Sequence, residues 1–64
     1  MNEEVLLQRK HELNCQIIEL RNLRHKYFKF ELYEEVFKTN QKLNVLREKI
    51  DDINSKLNAR RMIY

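Results

Sequence analysis

The feature that most constrains this chain is the complete absence of glycine and proline from its 64 residues. Tight β-hairpins, glycine-rich phosphate loops and most sharp turns depend on these two residues, whereas helices need neither. The composition, 42% hydrophobic and 36% charged, is typical of long amphipathic helices. The sequence therefore predicts an all-α protein. A chain this short also buries too little surface to enclose the deep pocket of a large enzyme.

Apolar residues recur at helical spacing in both halves of the chain. The first half carries a heptad stripe with two residues beside it: Leu6, Leu13, Leu20 and Tyr27, with Ile17 and Leu23. The second half alternates steps of four and three, as in a coiled-coil seam: Leu32, Val36, Thr39, Leu43, Leu46, Ile50, Ile53 and Leu57. Among these we expect Leu20, Leu43, Leu46 and Ile50 to be central core residues.

The phase of the apolar pattern changes between residues 28 and 35, because the first heptad would continue onto Glu34, Gln41 and Glu48. This predicts two helices folded back on each other as an antiparallel, coiled-coil-like hairpin. We expect helix 1 at about 3–27, a connection at about 28–33 and helix 2 at about 34–60, as one domain. A two-helix core is marginal in isolation, so dimerisation into a four-helix arrangement remains open.

Potential metal ligands and targeting segments are few. His11, Cys15 and His25 are the whole inventory of imidazole and thiol ligands, which predicts no metal site. A single cysteine and the lack of an apolar run of about 20 residues predict a cytoplasmic protein without a membrane span. A formal charge of +3 from evenly mixed charges does not favour nucleic acid as the partner.

The stretch from Arg21 to Lys29 is the most basic and most aromatic part of the chain. It could bind RNA or another phosphate-rich surface through charge and stacking, and an acidic protein surface would fit it equally well. The simpler interpretation is that its aromatic residues close the end of the hairpin while its charges remain solvated.

Uncharged amides cluster early in the second helix, where a structural bundle usually carries Glu or Lys. Asn40 and Asn44 are four residues apart and Gln41 and Asn44 are three apart, so the three share one side of the helix. Such a surface would suit the polar pocket of another protein.

Around these amides the sequence resembles the small sporulation-regulating aspartyl-phosphate phosphatases of bacilli, the stage-zero sporulation E group. The second helix of that family opens with Val and then a Ser-Gln-x-Leu-Asp motif, and here Val36 precedes residues 40–44 in the same order, with Gln41 and Leu43 unchanged. Residues 18–21, Ile-Glu-Leu-Arg, resemble a run in the family's first helix. Asn40 replaces the motif's Ser, Asn44 replaces its Asp, and the turn lacks the family's usual Gly.

The resemblance implies a negative regulator of sporulation that docks on a phosphorylated response regulator and removes its aspartyl phosphate. Gln41 and Asn44 would then be catalytic, with a surrounding contact surface made of Val36, Phe37, Lys38 and Asn40. The chain would carry no cofactor, since magnesium would belong to the response regulator. Asn44 cannot act as a base at neutral pH, which leaves two alternatives: binding without efficient catalysis, or catalysis by Gln41 alone. The competing function is a non-catalytic coiled-coil interaction or assembly module, which could be a homodimer.

Overall fold

The computed structural model describes the backbone of residues 3–61 and the side chains of residues 3–59. It contains two helices, α1 (Glu3–Lys29) and α2 (Tyr33–Arg61), which pack against each other, and no strand within these residues. The prediction of an all-α two-helix hairpin is thereby confirmed. Both helices run further towards the bend than the sequence indicated, which leaves only residues 30–32 to connect them. Neither helix, over its described length, is long and apolar enough to cross a membrane.

Charged residues at the helix ends favour both helices. α1 begins with Glu3 and Glu4 and ends with Lys26 and Lys29, while α2 has Glu34 and Glu35 in its first turn. Acidic residues at a helix N-terminus and basic residues at a C-terminus interact favourably with the helix dipole. These charges help to place the helix ends on either side of the bend.

The bend is formed by a six-residue C-terminal cap in which Glu31 takes the left-handed conformation usually filled by glycine. Glu31 has φ 61°, its N–H donates to the carbonyl of Phe28 at 3.1 Å, and the N–H of Leu32 donates to the carbonyl of Tyr27 at 2.8 Å. These two bonds define a Schellman motif. The carbonyl of Leu32 accepts the first bond of α2, from the N–H of Val36 at 3.1 Å. Leu32 therefore completes the cap of α1 and starts α2, which accounts for the shortness of the bend.

The apolar core is a narrow seam between the helices. At the end remote from the bend, Leu6 packs with Ile53 and Leu57, and Leu13 lies against this cluster. Leu43, near the middle of α2, is fully buried at 0% exposure, and Leu46 is also buried. The only buried polar residue among those described is Thr39, whose hydroxyl donates to the carbonyl of Glu35 at 2.7 Å.

The seam departs from the predicted stripe at four apolar positions. Leu20 and Ile50 are half-buried rather than central, because each helix has a single partner and covers its neighbour from one side only. Leu32 is exposed since it belongs to the bend. Leu23, predicted beside the stripe, is 38% exposed, and the half-buried position next to it is taken by Arg24. The prediction for Leu23 was wrong because the seam of α1 runs through Leu20, Arg24 and Tyr27 in steps of four and three, which leaves Leu23 outside it.

Candidate functional site

Gln41 and Asn44, the predicted catalytic residues, are both exposed on the outer surface of α2. Gln41 lies four residues after Phe37 and three before Asn44, a spacing that makes the three side chains neighbours on one helix. Phe37 is 63% exposed. We call Phe37, Gln41 and Asn44 the amide strip. It offers two amide groups and one aromatic ring to solvent on a rigid element.

Asn40 does not belong to this exposed strip, because it is tied to α1. The Nη1 of Arg24 donates a hydrogen bond to Oδ1 of Asn40 at 2.7 Å, and the bond is partly buried. A buried or half-buried cation is usually paired with a carboxylate. Here the acceptor is neutral, so the full positive charge of Arg24 remains in the seam.

The other two predicted contact residues lie on different sides of α2. Val36 is half-buried and faces α1. Lys38 is exposed and its Nζ lies 3.8 Å from Oε1 of Glu35, an ion pair between exposed groups. The predicted contact surface is therefore divided: Phe37 and Lys38 are exposed beside Gln41, whereas Val36 and Asn40 face α1.

A groove lies between the helices beside the bend, with a cavity volume of about 550 Å³. α2 contributes Val36 and Asn40 to its lining. α1 contributes a wall of six residues: Ile18, Arg21, Asn22, Arg24, His25 and Phe28. We call this the bend groove. Its volume falls within the range of small-molecule and peptide-side-chain sites.

The charge of the bend groove has one sign. Its lining includes two arginines and one histidine but no aspartate or glutamate. Among residues 3–59, the ion pairs observed are those of Lys38 with Glu35 and of Lys56 with Asp52, neither of which involves the groove. The lining is otherwise apolar around Ile18, Phe28 and Val36, so the groove combines cationic and apolar contacts.

A ring contact stiffens the mouth of the groove. Phe28 and Tyr33 meet edge to face across the bend, with ring centroids 6.1 Å apart and an interplanar angle of 78°. Such pairs stabilise by about 0.5–1.5 kcal/mol beyond the area they bury. Both rings nevertheless stay largely exposed. The bend end therefore presents a fixed aromatic surface next to the groove.

Among the described side chains, the remaining polar residues do not form a second chemical site. His11 and Cys15 contact each other at 3.7 Å, Nε2 to Sγ, on the exposed surface of α1. Within the described part of the chain, no group of three or more His, Cys, Asp or Glu side chains converges as metal ligands would. The chemistry available near the bend is thus that of amides, guanidinium groups and aromatic rings.

Sequence reasoning did not single out Arg24 as a site residue, although it placed Arg24 within a basic stretch. A signal was present: Arg24 lies four residues after Leu20 and three before Tyr27, which is a seam position of α1. A polar residue there must find a partner or reach solvent. Asn40 could have been paired with it from the hairpin geometry once the bend was known.

Comparison of the chain with protein-family models, curated proteins and solved structures found no significant match.

Proposed function

We propose that this chain is a cytoplasmic regulator that docks on a phosphorylated response regulator and promotes loss of its aspartyl phosphate, thereby restraining sporulation. The observation that carries the proposal is the amide strip, in which Gln41 and Asn44 stand exposed side by side on a helix. The resemblance of residues 36–46 to the sporulation phosphatases supports the same function. The single cysteine supports the cytoplasmic compartment of the proposal.

The reaction demands little of the small protein. Water attacks phosphorus in line, the P–O bond to the aspartyl carboxylate breaks, and a proton from water passes to solvent or to the released phosphate. The leaving carboxylate has a pKa near 4 and needs no general acid. Magnesium bound by the response regulator would neutralise the phosphoryl oxygens, so positioning of the water is the task left to the partner.

Gln41 suits that positioning role. Its amide oxygen can accept a hydrogen bond from the attacking water while its NH₂ group donates to a phosphoryl oxygen. Asn44, one turn further along α2, can make the same two kinds of bond at the edge of the site. Exposed Phe37 provides an apolar contact beside them, which would desolvate the interface around the phosphate.

The test is the rate at which radiolabelled phosphate leaves a phosphorylated sporulation response regulator, measured with wild type and with Gln41→Ala. We expect wild type to accelerate the loss and Gln41→Ala to remove at least nine-tenths of the acceleration, about 1.4 kcal/mol of barrier. Gln41 is exposed, so the substitution should leave thermal unfolding unchanged.

Two further variants control this experiment. Gln16→Ala removes an exposed glutamine from the middle of α1, on the other helix, and should retain full activity. Asn44→Asp restores the acid of the motif that the sequence resembles and should increase the rate. A wild-type protein that leaves the phosphate loss unchanged, or a Gln41→Ala variant as active as wild type, contradicts catalysis by the amide strip.

A second candidate function, a non-catalytic interaction or assembly module, is favoured by a different observation. Ten large apolar or aromatic side chains among the described residues are exposed, spread from Val5 to Val45. Where exposed apolar side chains lie together, they mark a surface for interaction with another protein. A homodimer that forms a four-helix bundle would cover part of them.

Sedimentation equilibrium separates the two candidates. An assembly module is expected to associate in a concentration-dependent manner, and Leu7→Glu should weaken the association without unfolding the hairpin, because Leu7 is exposed. A monomer at all concentrations, together with phosphatase activity that depends on Gln41, would exclude assembly as the function.

A further inference from the structure

The half-buried guanidinium of Arg24 has a hydrogen-bond partner but no ion-pair partner among residues 3–59. Its Nη1 donates to the neutral Oδ1 of Asn40, and no carboxylate of residues 3–59 forms an ion pair with it. Arginine carries five N–H donors, so one hydrogen bond leaves donors available. The Asn40 contact fixes the guanidinium in place without neutralising it. A positioned, uncompensated cation is a receptor for an anion.

The surroundings of Arg24 indicate what kind of anion fits. Arg21 lies one turn before Arg24 and His25 directly follows it, and both line the same wall of the groove, while Ile18, Phe28 and Val36 supply apolar surface. From Ile18 to Phe28 the wall measures about 15 Å, at 1.5 Å per residue. This length matches about three turns of a helix laid against the hairpin.

We propose that the bend groove binds an acidic amphipathic helix on the partner protein. Carboxylates of that helix would meet Arg24 and Arg21, and its apolar side chains would cover Ile18 and Phe28. The proposal rests on the function suggested above only for the identity of the partner. It adds a docking surface separate from the amide strip, with Asn40 as a positioning residue for Arg24.

Charge complementarity favours a protein segment over nucleic acid. A phosphate backbone binds best to an extended row of cations, whereas the groove places two arginines and one histidine among apolar walls. Stacking of bases would need open aromatic faces, and the edge-to-face contact of Phe28 with Tyr33 leaves these two rings without a common flat surface. An acidic amphipathic helix uses both the charge and the apolar walls.

The test is an NMR titration of the isotopically labelled protein with a synthetic helical peptide of about 15 residues, with leucines spaced i, i+4 and i+7 and glutamates between them. We expect chemical-shift changes on residues 18–28 and 36–40, with much smaller changes near Leu6 and Leu57. A second peptide with lysine in place of each glutamate should not bind. Single-stranded RNA of similar length serves as the alternative ligand.

Three variants make the test specific. Arg24→Gln keeps a hydrogen-bond donor for Asn40 but removes the charge, and should weaken the acidic peptide about tenfold, as expected for loss of a charge-assisted hydrogen bond. Asn40→Asp places a carboxylate beside Arg24 and should weaken the peptide similarly while leaving the hairpin at least as resistant to heat. Arg9→Gln makes the same change of charge at the opposite end of the hairpin and should alter binding less than twofold.

Each contrary outcome overturns the proposal in a recognisable way. Absence of peptide binding, or equal losses in Arg24→Gln and Arg9→Gln, excludes a defined anion receptor at Arg24. Tighter binding of RNA than of the acidic peptide, lost in Arg24→Gln, assigns the groove to nucleic acid. The Gln41→Ala variant should bind the peptide normally, so a negative phosphatase assay with intact peptide binding would refute only the proposed catalysis. Phosphatase activity without peptide binding would refute only the proposed binding of a helix in the bend groove.

Discussion

The two ends of the hairpin are held together by different chemistry. Beside the bend, Arg24 of α1 donates a hydrogen bond to Asn40 of α2, next to the buried side chains of Thr39 and Leu43. Towards the N-terminus of α1, about 27 Å from Arg24 at 1.5 Å per residue, Leu6 packs on Ile53 and Leu57 in an apolar cluster. We therefore expect the apolar cluster to stabilise the hairpin more than the Arg24–Asn40 contact does, while the bend end exposes its groove and its amides.

The strongest test of this comparison uses truncations at the two ends. Leu57→Ala should lower the free energy of unfolding by about 2–5 kcal/mol, because Leu57 is 4% exposed within the apolar cluster. Val36→Ala, at a half-buried position by the bend, should cost about 1 kcal/mol. Thermal and urea unfolding followed by circular dichroism measures both, with sucrose added to preserve a folded baseline. Exposed Val45→Ala is the matched control, and equal costs for Leu57→Ala and Val36→Ala would contradict the comparison.

A double-mutant cycle measures the polar contact at the bend end. Arg24→Met and Asn40→Ala, alone and together, should give a coupling energy of about 1 kcal/mol, below the usual range for hydrogen bonds to charged groups because the bond is only partly buried. The free energies of unfolding come from urea titrations of the four proteins. A coupling energy indistinguishable from zero would mean that the contact does not join the helices in solution.

A substitution at the bend should make the hairpin more stable. Glu31→Gly is expected to raise the free energy of unfolding by about 1 kcal/mol, because glycine adopts positive φ without the steric cost that other residues incur. Glu48→Gly, at an exposed position inside α2, should lower it by a similar amount. Differential scanning calorimetry compares the two substitutions. Destabilisation by both would indicate that residue 31 does not hold a left-handed conformation.

The smallest expected effect is that of Thr39→Val. The hydroxyl of Thr39 donates within its own helix, to the carbonyl of Glu35, so its removal leaves no buried donor unsatisfied. We expect the free energy of unfolding to change by less than about 0.5 kcal/mol. A much larger loss in the same calorimetric experiment would show that the buried hydroxyl contributes to holding the helices together.

The fold was predictable because two features of the apolar pattern, its spacing and its change of phase, both indicated a two-helix hairpin. The four-and-three spacing from Val36 to Leu57 gave the inner face of α2, where the structure buries Leu43, Leu46 and Ile53. The phase change near residue 30 gave the reversal of direction. The inner face of α1 was less well predicted, since Arg24 occupies a seam position with a long aliphatic stem and a charged head, and hydrophobicity assigns such a residue to the surface.

The conformation of the bend and the arrangement of the candidate site could not be predicted from the sequence. Without glycine, nothing in residues 28–33 marks which residue takes positive φ, and the cap that settles on Glu31 depends on backbone bonds to Tyr27 and Phe28. The sequence placed Asn40 beside Gln41 and Asn44 as one polar surface. Tertiary contact with Arg24 separates it from them, and that contact requires the register that only the bend determines.

The short bend around Glu31 also bears on the order in which we expect the hairpin to close. The two residues that meet beside the bend, Arg24 and Asn40, are 16 positions apart. Leu6 and Leu57 are separated by about 50, and closing that longer loop in an unfolded chain costs about 1 kcal/mol more in entropy. Closure should therefore begin at the bend and proceed like a zipper towards the chain termini. We expect the weaker polar contacts to form first and to fix the register. The leucine cluster then forms and stabilises the closed hairpin.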